Sequence, residues 1–313
     1  MNTPARLGTY VLGLAVVFAG ALGVGGAVGA TGPAPAKNGH GGHTTPSPAA
    51  QKTEHVPGGL QVSQGGYTLT PQTTSITPGT ETDFRFTVNG PDGRPVTAYE
   101  TQHDKKLHLI VVSRDATIFR HLHPELSGEG IWSVPLTLPG AGAYRIFADF
   151  APQGGEGLTL GADLYVPGDY APPALPAPSR TVAVDGYTVR LDGTLTPGAA
   201  SRITAEISRD GKPVTDLQPY LGAYGHLVAL RVGDLAYLHV HPDGAPGDGV
   251  TPAGPGITFY AEVPSRGDYR LFLDFQHDGT VHTVAFTVRA EQPSGAVPTA
   301  TADHGAEHSH SGH

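Results

Sequence analysis

The chain has 313 residues, no cysteine, a single methionine at its start and a formal charge of −9. Without cysteine there can be no disulfide, thiolate metal site, cysteine nucleophile or cupredoxin-type electron-transfer centre, and without an internal methionine there is no thioether to favour Cu(I). Basic residues are scattered, so no positive footprint for nucleic acid exists.

Residues 1–30 carry Arg6 and then an apolar stretch from Val11 to Val28, followed by Gly29 and Ala30. The stretch reads as a cleaved signal peptide or as a single membrane anchor, because its length is near the lower limit for crossing a bilayer. Either way the body lies outside the cytoplasm, secreted or anchored. Residues 31–59 are rich in Gly, Pro, Thr and Ala and read as a flexible linker.

Two similar units follow, 60–167 and 181–290, joined by the Pro-rich linker 168–180. GGYTLT (65–70) answers DGYTVR (185–190), DGRPVT (92–97) answers DGKPVT (210–215), and YRIFADF (144–150) answers YRLFLDF (269–275). The spacing between copies grows from His108/His226 to Tyr144/Tyr269, which places an insertion in the Gly/Pro-rich stretch 244–256. Short alternating segments such as FRFTV, LHLIVV, WSVPLTL and YRIFADF, separated by Gly, Pro and Asp turns, predict strands. Each unit therefore reads as an immunoglobulin-like β-sandwich that buries one face of each sheet, and the fold class is all-β, two tandem sandwiches. Tyr144 and Tyr269 are candidates for the structural tyrosine of such a fold, and Trp132 for its core. Residues 291–313, with His304, His308, His310 and His313, form a His-rich tail without core-forming residues and read as disordered.

The chemistry of the chain lies in a duplicated pattern: His108 with His121 and His123, and His226 with His239 and His241, each ending His-x-His-Pro. If residues 107–124 form a hairpin turning at Arg114-Asp115, His108 opposes His121; a turn at Asp115-Ala116 opposes it to His123. In repeat two a Val232-Gly233 turn opposes His226 to His239, and a Gly233-Asp234 turn opposes it to His241. In every one of these registers the three imidazoles of a repeat share one face. A three-residue loop would instead send His108 to the other face. Three imidazoles on a β-ribbon suit copper(II) or zinc(II), so two metal sites are expected, one per repeat. Asp149 and Asp274, at matching places, are candidate further ligands; His103 could serve repeat one, and Tyr224, His277 or His282 repeat two. His282 lies in the apolar segment TVHTVAFTV, where it needs a partner. His-Pro can also simply end strand pairing, and Asp149 and Asp274 can pin loops instead of binding metal.

HVHPDG (239–244) locally resembles the copper-binding strand of copper/zinc superoxide dismutase, and HLHPE (121–125) the cupin His-x-His, but the remaining ligands of both are missing. With no P-loop, nucleophile elbow or acid/base pair, no enzyme activity is expected.

GPDGRPVT (90–97), KLHLIVV (106–112), HLHPE (121–125), GAYGHLVAL and HVHP resemble exported bacterial proteins of the YtkA-like or FixH-like type, over most of residues 60–289. That resemblance implies tandem immunoglobulin-like units in the cell envelope and suggests copper handling. The expected function is extracytoplasmic binding of copper or zinc for storage, buffering or handover. The alternative is a non-enzymatic interaction module that docks an envelope protein and uses its histidines structurally.

Overall fold

The computed structural model describes residues 56–238 and 240–291. The signal or anchor, the linker up to residue 55, the tail from residue 292 and His239 lie outside the described residues. Among the described residues no helix is long and apolar enough to cross a membrane.

Repeat one contains β1 (Ser63–Gln64), β2 (Tyr67–Pro71), β3 (Thr82–Asn89), β4 (Leu107–Ser113), β5 (Phe119–Leu122), β6 (Glu125–Leu126), β7 (Ile131–Leu136), β8 (Gly142–Phe150) and β9 (Leu158–Val166). They form a sheet ordered β1-β2-β3-β7-β6 and a second ordered β5-β4-β8-β9. With β2, β3, β7 and β6 as strands A, B, E and D, and β5, β4, β8 and β9 as C′, C, F and G, this is the immunoglobulin arrangement.

Repeat two contains β10 (Thr181–Val184), β11 (Tyr187–Asp192), β12 (Ala200–Arg209), β13 (Lys212–Pro213), β14 (Gly225–Arg231), β15 (Tyr237–Leu238), β16 (Val240–Pro242), β17 (Gly256–Glu262), β18 (Gly267–His277) and β19 (Thr280–Ala290). Its sheets run β10-β11-β12-β17-β16, with β13 paired to β12, and β15-β14-β18-β19. Both copies are thus β-sandwiches, and the four segments predicted as strands fall on β3, β4, β7 and β8. The inserted residues lie between β16 and β17, where Asp248 accepts hydrogen bonds from the Ala245, Val250 and Thr251 amides and the Thr251 hydroxyl.

Each repeat has its own core. In repeat one Trp132 packs parallel to Phe86 and donates to the Tyr99 hydroxyl at 3.1 Å. The two predicted tyrosines behave alike: Tyr144 donates to Gly140 O and Tyr269 to Ser265 O, each at 2.8 Å, tying the start of β8 and β18 to the preceding corner.

One expectation fails. The sheets β5-β4-β8-β9 and β15-β14-β18-β19 are covered on both faces, not one. Leu107, Leu109 and Val111 enter the core of repeat one, while Ile110, Val112, Phe119 and Phe147 form a third apolar cluster with Val228, Leu230 and Phe272 of repeat two. Phe119 stacks on Phe272 at 4.2 Å and 6°. Equivalent residues of the two copies meet across this seam, as in a dimer made from one chain. Its margins are polar: Arg270 donates to Ala116 O at 2.9 Å, and Tyr237 N to Gly58 O at 2.9 Å. The same short segment also reaches repeat one, since Gly59 N donates to Thr159 O at 2.7 Å and Arg145 donates to Gly59 O. Gly161 is required there, because a Cβ on it would lie 2.0 Å from Gly59 O.

Candidate metal centre

The hairpin β4–β5 sets the site. Leu109 pairs with Leu122 and Ile110 with His121, and Ser113 N bonds to Ile118 O across a four-residue loop. This is the register centred on Asp115-Ala116. An even loop keeps the face argument intact, and Asp115 caps the turn by accepting from Thr117 N at 3.0 Å. In repeat two Ala229 pairs with Leu238, the register centred on Gly233-Asp234.

Because side chains alternate along a strand, His108 shares the outer face of β4 with Ile110 and Val112, His226 that of β14 with Val228 and Leu230, and Asp274 that of β18 with Phe272. Packing the repeats face to face therefore brings their polar ends together. The ring centres of His108, His121 and His123 are 5.3, 5.1 and 4.8 Å apart, and one ligand atom from each lies within 4.8 Å of the others. His226 joins from the other repeat, 6.4 Å from His108 and 6.2 Å from His121. The exposed His103 is 6.1 Å from His108 and 5.4 Å from His226.

The hydrogen bonds fix the tautomers of His108 and His226. His108 Nε2 lies 3.1 Å from Gln102 O and His226 Nε2 2.8 Å from Tyr220 O. A carbonyl only accepts, so both nitrogens are the protonated ones and each ring turns a bare Nδ1 elsewhere. His121 Nδ1 donates to Asp274 Oδ2 at 2.8 Å, which turns Nε2 toward His108; Asp274 is itself held by the Thr283 hydroxyl at 2.5 Å. His108 Nδ1 and His121 Nε2 face each other at 3.0 Å. His123 Nε2 is the buried side-chain nitrogen without a hydrogen-bond partner among the described residues.

Both carbonyls belong to matching turns. Gln102 pairs with Lys105 around His103-Asp104, and Tyr220 with Ala223 around Leu221-Gly222; all four corner residues have positive φ, 49° and 61° in the first turn, 54° and 73° in the second. This is the two-residue hairpin geometry in which both central residues are left-handed.

Burial, reinforced by neighbouring imidazoles, pushes His108 and His123 down to about 3. Burial pushes His226 down to about 4 against the opposing effect of its bond to Tyr220 O. Burial raises Asp149 to about 6, tempered by the Thr159 hydroxyl that it accepts at 3.0 Å. The pocket thus favours uncharged imidazoles with free lone pairs, the form that binds metal.

The expected residues divide as follows. His108, His121 and His123 converge. Asp274 touches the cluster as the carboxylate that orients His121, not as a fourth member of it. Asp149 is the strand neighbour of His108 but is bound to Thr159. His226 adjoins the triad of repeat one. His239 lies outside the described residues. His241 sits exposed on β16, opposite Tyr260, in the other sheet from His226. His282 has the partner it needs, Asp185 at 2.9 Å, and packs 4.5 Å from Tyr187; His277 bonds Tyr187 and Asp216. Tyr224 packs against the core of repeat two. Sequence reasoning had weighed His103 for repeat one only, and the turn carbonyls Gln102 O and Tyr220 O not at all.

Residues 61–166 and 181–292 each match the model of one family, described as a domain of unknown function, DUF8832. The chain belongs to this family. No curated protein matches it. Among solved structures it is similar to the Escherichia coli adhesin FdeC, at 14% identity, TM-score 0.26, over 72% of this chain and 65% of that one. It is likewise similar to Yersinia pseudotuberculosis InvD, at 15% identity and TM-score 0.23, over 76% and 61%. A mutant Salmonella alpha-2-macroglobulin gives 14% and 0.27, over 77% and 16%. The chain spans less than two thirds of each of these proteins. At such TM-scores the three likenesses carry no weight for function.

Proposed function

We propose that this DUF8832 protein binds one divalent transition-metal ion, copper(II) or zinc(II), outside the cytoplasm, through His108, His121 and His123, without catalysis. The observation that carries the reading is the convergence of three imidazoles: His108 Nδ1 faces His121 Nε2 at 3.0 Å, and His123 Nε2 is buried beside them without a hydrogen-bond partner among the described residues. Two lone pairs at that distance repel unless a cation lies between them. A proton on His121 Nε2 or a metal ion meets that need, and the ion also engages the otherwise unpartnered His123 Nε2. The spacing also fits. An ion 2.0–2.1 Å from an imidazole nitrogen is about 3.2 Å from the ring centre, so three rings set tetrahedrally around it have centres about 5.2 Å apart. The observed triangle measures 5.3, 5.1 and 4.8 Å. Asp274 and the Gln102 carbonyl would hold the tautomers of two ligands, the usual outer support of a metal-bound histidine. The export-like leader and the YtkA-like or FixH-like resemblance support an envelope location and metal handling for storage, buffering or handover.

Calorimetry of the full chain with Cu(II) and Zn(II) tests this. One tight ion per chain is expected, absent from His108→Ala and His121→Ala, with weak binding by tail histidines left in both. Equal tight binding in the wild type and both variants would refute the triad.

The second reading is an envelope interaction module whose histidines merely join the repeats. It draws on the protein acceptors that His108, His121 and His226 each already have. It predicts that His121→Ala destabilises the chain while metal uptake is unchanged.

A further inference from the structure

We infer that His103 of repeat one and His226 of repeat two form an outer ligand pair through which the ion reaches and leaves the triad. The inference rests on the metal reading above and adds a residue that is not part of the inner site. The two rings are 5.4 Å apart, close to the separation of imidazoles that share an ion, and cross at 75°. His103 is exposed, whereas His108 is buried. His226 spans the gap, with ring centres 6.4 and 6.2 Å from two members of the triad. Its Nε2 is committed to Tyr220 O, so Nδ1 is the atom that an ion can use.

The turn that carries His103 does not need an imidazole. The matching corner in repeat two is Leu221, with φ 54° against 49° for His103. Left-handed backbone is best served by Gly or Asn. Leu221 shows that the corner does not require histidine, and the feature that His103 brings is a ring 5.4 Å from His226 and 6.1 Å from His108. The two turns also lie against each other: a Cβ on Gly222 would be 3.6 Å from Asp104 Oδ2. The outer pair is thus assembled only when both repeats are docked.

His103→Asn and His103→Gly separate this role from a structural one, because both replacements suit the backbone and should leave the metal-free chain melting at or above the wild-type temperature. Stopped-flow loading with Zn(II), and extraction by a coloured chelator, would follow the kinetic phase that His121→Ala abolishes. Both variants should load and release Zn(II) about fivefold or more slowly, with equilibrium affinity within about twofold of wild type. Unchanged rates, or weaker binding caused by faster release alone, would overturn the inference; the second result would make His103 an inner ligand. A wild type with no His121-dependent phase would remove the metal centre itself, a failure distinct from that of the outer pair.

Discussion

Acidification of the metal-free chain should unfold it, and the structure sets the scale. His108 and His123 are held near 3 and His226 near 4, whereas in the unfolded chain each titrates near 6.5. Between those values the unfolded state binds more protons than the native state, so stability falls as pH falls. The contribution is complete above about pH 6.5 and is lost progressively down to about pH 3. At pH 5 each imidazole costs about 2 kcal/mol relative to pH 7.5, since the unfolded chain is then protonated about thirtyfold over. Asp149 works in the opposite sense: raised to about 6, it takes up a proton in the native state first. That returns about 1 kcal/mol over the same interval. Because the neighbouring imidazoles share part of this penalty and His123 is only partly buried, the net loss is about 3–5 kcal/mol, still a large share of the stability of an ordinary domain. Urea titrations of metal-free protein at pH 7.5 and 5.0, at constant ionic strength, measure it directly. His226→Gln should remove about 2 kcal/mol of the difference. Stability that stays flat or rises on acidification would refute the assignment of three buried neutral imidazoles.

Two substitutions probe the seam and the support of the site. Phe272→Ala, at a residue only 2% exposed that stacks on Phe119, should cost about 3–5 kcal/mol by thermal or urea unfolding. It should also weaken metal binding in calorimetry, because the seam brings His226 and Asp274 to the triad; unaltered binding would show that the site belongs to repeat one alone. Asp274→Asn retains an acceptor for His121 but removes the negative charge. It should weaken Cu(II) or Zn(II) binding about tenfold or more in a chelator competition, and an affinity equal to wild type would leave Asp274 no part in the site.

Much of the fold was legible because the duplicated segments show their alternation and turns openly. The shared face of His108, His121 and His123 followed from strand period together with an even turn, and the tyrosine corners from position. The seam was written less plainly. Leu109-Ile110-Val111-Val112 and Leu227-Val228-Ala229-Leu230 are unbroken apolar runs, the mark of strands covered on both sides. Reading them as one-sided strands leaves Ile110, Phe147 and Phe272 without a reason. The convergence of His226 and Asp274 on repeat one could not be read, since His121 and Asp274 are 153 residues apart and meet only through packing between domains. The hairpin argument also had a limit in repeat two: after Leu238 the chain passes to the other sheet, where His241 pairs opposite Tyr260 on β17.

A seam made of equivalent residues would, in two separate identical subunits, oblige both sides to change together. Joining the halves in one chain lifts that obligation. His103 can stand where its counterpart is Leu221, and Leu158 where its counterpart is His282. Asp274 can reach across to His121 while its twin Asp149 stays with Thr159. Covalent duplication thus lets this protein evolve a lopsided pocket on a framework that began as a matched pair.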